Sequence, residues 1–183
     1  MYFYEEFDPA FVEDIKRRTD DKNQRLNFNN YNENIDTRWV GKMGELAFKR
    51  FLERNGVKYE YHESDYQKDE WDFTVGKLKI DVKTVGAKAI PKDWYACNVT
   101  GRQYDKIMRE DNQINTLVFC RFVIPTNTAV ILGWLKKDEF RQLAKFLPAH
   151  TKTGVITISA DQYEVEIKEL RSFISKGGEN DDW

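Results

Sequence analysis

The chain has 183 residues, 40% hydrophobic and 33% charged, with a formal charge of -2 at pH 7. That balance suits one soluble globular domain, or one domain with an extension, and no overall basic field advertises a polyanion partner, although local patches can still do so. The two cysteines, Cys97 and Cys120, lie far apart in apolar segments, so buried free thiols in a reducing cytosol are expected and a zinc or iron–sulfur site is not.

The opening "MYFYEEFDPAF" lacks a basic n-region and a long apolar run, so it does not read as a signal peptide. No segment approaches the ~20 apolar residues needed to cross a bilayer. The expected location is the cytoplasm, or the host cytoplasm for a viral protein. "DPAFVEDIKRR" predicts a short helix, with Asp8 as its cap, Pro9 in its first turn, and Arg17 and Arg18 at its end. "TDDKNQRLNFNNYNENIDTR" follows, rich in Asn and Asp. It reads either as a surface connector or as a flap over a substrate groove.

"GKMGELAFKRFLERNG" predicts an amphipathic helix: Met43, Ala47 and Phe51 recur at helical spacing, Leu46 and Phe48 widen the stripe, and Asn55-Gly56 stops it. "VKYEYHES" alternates like a strand, and "DYQKDE" is a polar loop leading into the hairpin "WDFTVGKLKIDVKT". "KDWYACNV" reads as a further strand, and "TGRQYDKIMRED" as a helix capped by Thr100. The near-continuous apolar run "NTLVFCRFVI" is expected inside a sheet, with "TAVILGWL" as another strand. "KKDEFRQLAKFL" predicts a helix with Phe140, Leu143 and Leu147 on one face. "TGVITIS" and "YEVEIKEL" read as strands before a short last helix, although Tyr163, Ile167, Leu170 and Ile174 also fit a helical stripe.

This order predicts an α/β fold, at the boundary with α+β, in which helices flank a mixed central β-sheet. Residues 1–38 read as an N-terminal helix and polar loop extension, 39–175 as the main domain, and 176–183 as a flexible tail. "GKMGE" lacks P-loop spacing, so ATP hydrolysis is not expected. The two histidines, His62 and His150, are far apart, and no partners for a Ser-His-Asp hydrolase are evident.

The hairpin carries the chemistry. If Gly76-Lys77 is a two-residue type II′ turn, Val75 faces Leu78, Thr74 faces Lys79, Phe73 faces Ile80 and Asp72 faces Asp81. Period two then puts Phe73, Val75, Leu78, Ile80 and Val82 on the core face, with Asp72, Asp81 and Lys83 on the other. Opposed like charges destabilise a sheet, so this pairing predicts a hard divalent cation with oxygen ligands between the acids, Mg²⁺ or Mn²⁺. Acid-x-Lys also occurs at Asp14–Lys16, Asp20–Lys22 and Glu166–Lys168, and the last is the closest rival because Glu164, Glu166 and Lys168 could share a strand face. Glu45 stands on the helix before the hairpin. It reads either as an exposed first-turn acid or as a third member of the acidic group. Lys88 and Lys92 join Lys77, Lys79 and Lys83 in a basic strip suited to phosphate backbones.

An acidic helix, then Asp, then a hairpin returning to Asp-x-Lys resembles the PD-(D/E)xK nuclease superfamily. The pieces are Glu45, Asp72 and Asp81-Val82-Lys83, and the resemblance covers roughly residues 41–116. Glu70-Trp71 stands before the first Asp where the motif has Pro. "VILGWLKKDEF" and "YEVEIKELRSF" have the look of phage or bacterial proteins of this kind. The resemblance implies a restriction-endonuclease-like core and Mg²⁺-dependent hydrolysis of phosphodiesters in DNA, with RNA as another substrate. It implies Glu45, Asp72, Asp81 and Lys83 as catalytic residues, with Asp72, Asp81, Glu45 and the Val82 carbonyl on the metal. Lys42, Lys88, Lys92 and Gln103 are candidate nucleic-acid contacts. A homodimer would reach both strands. The rival reading is a non-catalytic nucleic-acid-binding or interaction protein of the same fold.

Overall fold

The computed structural model describes residues 2–25, 38–63, 71–92, 95–153 and 156–173. In chain order its elements are β1 (Phe3–Glu6), α1 (Pro9–Arg25), α2 (Arg38–Arg54), β2 (Glu60–Tyr61), β3 (Phe73–Val75), β4 (Leu78–Ala87), β5 (Ala96–Thr100), α3 (Gly101–Met108), β6 (Thr116–Val123), β7 (Thr128–Lys136), α4 (Lys137–Leu143), β8 (Lys145–Leu147), β9 (Lys152–Thr153), β10 (Ile156–Thr157) and β11 (Gln162–Glu166). Short 3-10 turns occupy Ile124–Thr126 and Ile167–Glu169.

Six strands form the central sheet in the order β1-β7-β6-β4-β3-β2. The β4–β6 pair is parallel, with β5 and α3 in the crossover, and the other pairs are antiparallel, so the sheet is mixed and the fold α/β. β6 and β7 are buried along nearly their whole length, as interior strands should be when both faces are covered. On one face, Phe48 and Leu52 of α2 pack on Phe73, Ile80, Val82 and Val118. The other face, with Leu117, Phe119 and Leu135, packs on Val99, Ile107, Phe140 and Val165. Those residues come from α3, α4 and a three-stranded sheet ordered β5-β11-β8. Each fully buried Phe or Leu stabilises this sandwich by roughly 1.5–3 kcal/mol relative to exposure. α1 packs on α2 through Val12, Val40 and Met43.

Several sequence expectations change. Residues 3–6 form an edge strand on β7, so the N-terminal segment is built into the central sheet. Asp8 caps α1 as expected, its Oδ1 accepting from the backbone N–H of Ala10 at 2.8 Å, but the helix runs past Arg18 to Arg25. Its polar last turns contain no Gly or Pro, and low apolar content is not itself a helix stop. α4 ends at Leu143, and Lys145–Leu147 pairs with β11 instead of continuing the helix. The buried stripe of α2 is Met43, Gly44, Ala47, Phe48 and Leu52, while Phe51 is only half-buried. In the Asn-rich segment, 26–37 lies outside the described residues, as does the tail 176–183. Among the described residues no helix is long and apolar enough to cross a membrane.

Candidate acidic site and cleft

The hairpin turns where Gly76 allows it. Gly76 has φ of +56°, Lys77 is not among the positive-φ residues, and this is the sense of a type II′ turn. The register is Val75–Leu78, Thr74–Lys79 and Phe73–Ile80. The ladder ends there, and Asp72 bends out of it. Its N–H donates to the Ile80 carbonyl at 2.8 Å, while its carboxylate Oδ2 accepts the N–H of Val82 at 2.7 Å. The carboxylate thus replaces a backbone acceptor on the edge of β4, satisfying a donor that β3 is too short to reach.

Asp81 pairs with Leu117 in the parallel β4–β6 ladder, and its side chain is 12% exposed. Lys83 Nζ lies 2.6 Å from Asp81 Oδ2. The polar face predicted for this strand is therefore largely withdrawn from solvent.

Glu45 reaches the site because α2 packs unusually close to β4. A Cβ at Gly44 would lie 2.8 Å from the Thr84 Cβ and inside its hydroxyl group. Only glycine permits that approach. The phenol of Tyr61 donates to Glu45 Oε2 at 2.7 Å, and Lys42 Nζ lies 3.4 Å from the same oxygen. Lys42 also contacts the Tyr61 hydroxyl. Tyr61 is stacked on Phe73, ring centroids 4.8 Å apart, so the residue that holds Glu45 is itself anchored to the hairpin.

The electrostatics tie these groups together. The Asp72 carboxyl is pushed well above the usual carboxylate range, first by burial, then by the charges of Asp81 and Glu45. The Val82 N–H and Lys83 oppose the shift. The Tyr61 phenol is raised by burial and then by Glu45, which keeps it a proton donor. Three carboxylates therefore share one field.

Among the described residues, no group of three or more His, Cys, Asp or Glu side chains is arranged so that it could hold a metal ion. The donor chemistry does fit a hard divalent cation: the groups are carboxylate oxygens, and their mutual repulsion is what a bound cation relieves.

β3 pairs with β4 only as far as Ile80, and among the described residues no strand pairs with that edge of β4 beyond it. Val82, Lys83, Thr84, Val85 and Gly86 all line a cleft of about 550 Å³ along that edge. Consecutive residues from both faces appear because the cleft meets the strand edge-on. Glu45 opens into it, and so does Gln103. Among the described residues the cleft is lined by four basic side chains, Arg18, Arg38, Lys42 and Lys83, against two acidic ones, Glu45 and Glu63. Its charge balance is thus the reverse of the whole chain's, which is -2.

The remaining predicted residues are placed as follows. Gln103 completes a capping box, its Oε1 accepting the Thr100 N–H at 3.2 Å. Lys88 and Lys92 lie beyond the end of β4 and do not line the cleft. Lys79 and Lys88 are separated by nine residues, roughly 30 Å along a strand, so the expected lysine strip is not one cluster. Lys79 sits over the Trp71 ring, 4.0 Å from its centroid. His62 is engaged within the hairpin, with Nε2 2.8 Å from Thr74 Oγ1. The sequence did not point to Tyr61, Arg18, Arg38, Asn98 or Gln162, which depend on elements distant in the chain. The one local signal was Gly44, a glycine inside an amphipathic helix beside the candidate acid. A scan against protein-family models gives no match to this chain, and a search of curated proteins gives none either.

Proposed function

We propose that the protein is a metal-dependent nuclease that hydrolyses phosphodiester bonds of DNA, with a PD-(D/E)xK-like core. One observation carries the reading. Burial, and then the charges of Asp81 and Glu45, raise the Asp72 pKa, and Lys83, paired with Asp81, opens together with Glu45 into a cleft with excess basic charge, while Asp72 and Asp81 lie behind its lining.

Turned from their present partners Lys83, Tyr61 and the Val82 N–H, the carboxylates of Asp81, Glu45 and Asp72, with the Val82 carbonyl, would hold Mg²⁺ or Mn²⁺. When bound, such an ion supplies Lewis-acid stabilisation of phosphate charge and eases deprotonation of water. The chain's own groups do the rest. Lys83, fixed by Asp81 at 2.6 Å, brings a positive charge to the phosphate where negative charge develops in the transition state. Glu45, held by Tyr61 and Lys42, keeps one carboxylate orientation and orients the attacking water. The water oxygen bonds to phosphorus, the leaving oxygen departs, and a proton ends on that oxygen. The working location is the cytoplasm of the cell or of the host.

The test is incubation of supercoiled, linear duplex and single-stranded DNA with Mg²⁺, Mn²⁺ or a chelator. Metal-dependent cleavage by wild type is expected, with none in chelator and none from Asp81→Ala. Unchanged cleavage by Asp81→Ala sinks the site assignment. Each carboxylate also has an internal partner: Lys83 for Asp81, Tyr61 for Glu45 and the Val82 N–H for Asp72. That satisfied arrangement favours the second reading, a nucleic-acid-binding protein that does not cut, and DNA binding without cleavage under every metal selects it.

A further inference from the structure

The cleft has two unlike walls. Arg18 from α1, and Arg38 and Lys42 from α2, form the helical wall. The facing wall carries Asn98 and Thr100 from β5 and Gln162 from β11, all uncharged hydrogen-bonding groups. Sheet periodicity produces this second wall. Gln162 pairs directly with Thr100, and Asn98 is two residues along the same face. The alternate residues Cys97, Val99 and Val165 point into the core. Asn98 Nδ2 donates to Gln162 Oε1 at 3.2 Å, which fixes the two amides relative to each other. That bond leaves the Asn98 carbonyl oxygen and the Gln162 amide nitrogen to address a ligand.

We infer that the cleft takes a single DNA strand, with phosphates on the helical wall and base edges on the amide wall. The inference rests on the nuclease reading for the class of ligand. A single strand is two-sided in the same way, charged along its backbone and hydrogen-bonding along its bases. A duplex turns phosphates outward and bases inward, and its grooves are read by elements that protrude into them. A concave site of about 550 Å³ has room for a nucleotide-sized group, not for a duplex. Among the described residues no aromatic side chain lines the cleft, so its described walls offer hydrogen bonds and charge rather than the stacking platform that holds single strands without regard to base. Recognition through amides discriminates among bases, because each base edge presents a different pattern of donors and acceptors.

The experiment is fluorescence anisotropy with short labelled homopolymers of dA, dC and dT, and with a duplex of the same length. Chelator is present throughout, so binding is read independently of cleavage. Wild type should bind a single strand more tightly than duplex and show about tenfold preference among the homopolymers. Asn98→Ala and Gln162→Ala should erase most of that preference. Gln162→Glu, isosteric and with a thermal melt to check folding, replaces the amide donor by an acceptor and should change which homopolymer binds best. Arg38→Ala should weaken all three homopolymers alike and make the salt dependence shallower by about 0.7 in log–log slope. Duplex binding equal to or tighter than single-strand binding overturns the inference, as does equal loss across homopolymers in the folded amide variants. Cleavage of duplex without single-strand preference leaves the nuclease reading standing while this one fails. Selective single-strand binding without cleavage does the reverse.

Discussion

Asp81-Val82-Lys83 and Glu166-Ile167-Lys168 share a spacing and, in the fold, an interaction. Lys83 lies 2.6 Å from Asp81, and Lys168 lies 2.7 Å from Glu166. Their surroundings separate them. The Asp81 and Lys83 side chains are 12% and 16% exposed, while those of Glu166 and Lys168 are 34% and 59% exposed. Around Glu166 the charges cancel: Lys168 lowers its carboxyl pKa, and Lys145 adds to the effect at 3.5 Å. Around Asp81 they accumulate, since Asp72 and Glu45 are both acids of the same field. An ion pair at a given distance is thus a surface contact in one place and part of a charged site in the other. Burial and unlike neighbours make the difference, not the motif.

The largest expected effect breaks the buried pair. Lys83→Ala should lower metal-dependent DNA cleavage by about 10²–10³-fold, the usual loss when a preorganised charge opposite a developing oxyanion is removed. Cleavage rates at saturating metal, with circular dichroism to check folding, measure it. Retention of full activity would reduce Lys83 to a structural counterion of Asp81.

Next comes the contact that delivers Glu45. Gly44→Ala forces a Cβ into Thr84, a β-branched residue on a central strand with little room to turn. Such overpacking costs about 1–3 kcal/mol. The variant should melt several degrees lower, and cleavage should fall further than the melt explains, because α2 must move and takes Glu45 with it. Gly41 on the same helix offers the control: among the described residues nothing lies within 4 Å of a Cβ built there.

These two positions also divide what the sequence disclosed from what it withheld. The hairpin register was legible because Gly76 is its only turn signal and alternation is strict on either side. Asp81 and Lys83 followed from that count. The departure of Asp72 from the ladder was not legible, since it depends on β3 being three residues long and on a Val82 N–H that takes the Asp72 carboxylate as its acceptor. The amide wall was hidden for a different reason: Asn98 and Gln162 are 64 residues apart and meet only through β5–β11 pairing. The spacing of Phe140, Leu143 and Leu147 predicts one helix through residue 147, and strand pairing of β8 with β11 overrides it.

A smaller effect is expected in the pH dependence of stability. The ordinary carboxyl value is 3.8, and Asp72 in the folded protein lies well above it. Between those values the folded state keeps a proton that the unfolded chain has released. Stability therefore falls as pH rises through that window and levels off above it. Asp72→Asn retains an acceptor for the Val82 N–H and carries no charge. It should melt higher than wild type at neutral pH, with the gain shrinking as pH falls towards 3.8. Added Mg²⁺ should raise the wild-type melting temperature at neutral pH and leave Asp72→Asn nearly unmoved. A wild-type curve parallel to the variant's at all pH values would remove Asp72 from the coupled acidic group.

The smallest effect belongs to the other acid-x-Lys pair. Lys168→Ala removes a charge that sits 2.7 Å from Glu166, on a surface where Lys145 remains as a second cation. Exposed pairs of this sort contribute little because solvent screens them and ordering two long side chains offsets the attraction. Melting temperature and cleavage rate should both match wild type, at low and at moderate salt alike. The lowered Glu166 pKa predicts the one residual sign: any stabilisation from the pair is present above the ordinary value of 4.5 and disappears as pH falls through the folded value. A loss of cleavage in Lys168→Ala comparable to that in Lys83→Ala would mean that spacing alone, and not the buried acidic company of Asp81, marks the functional lysine.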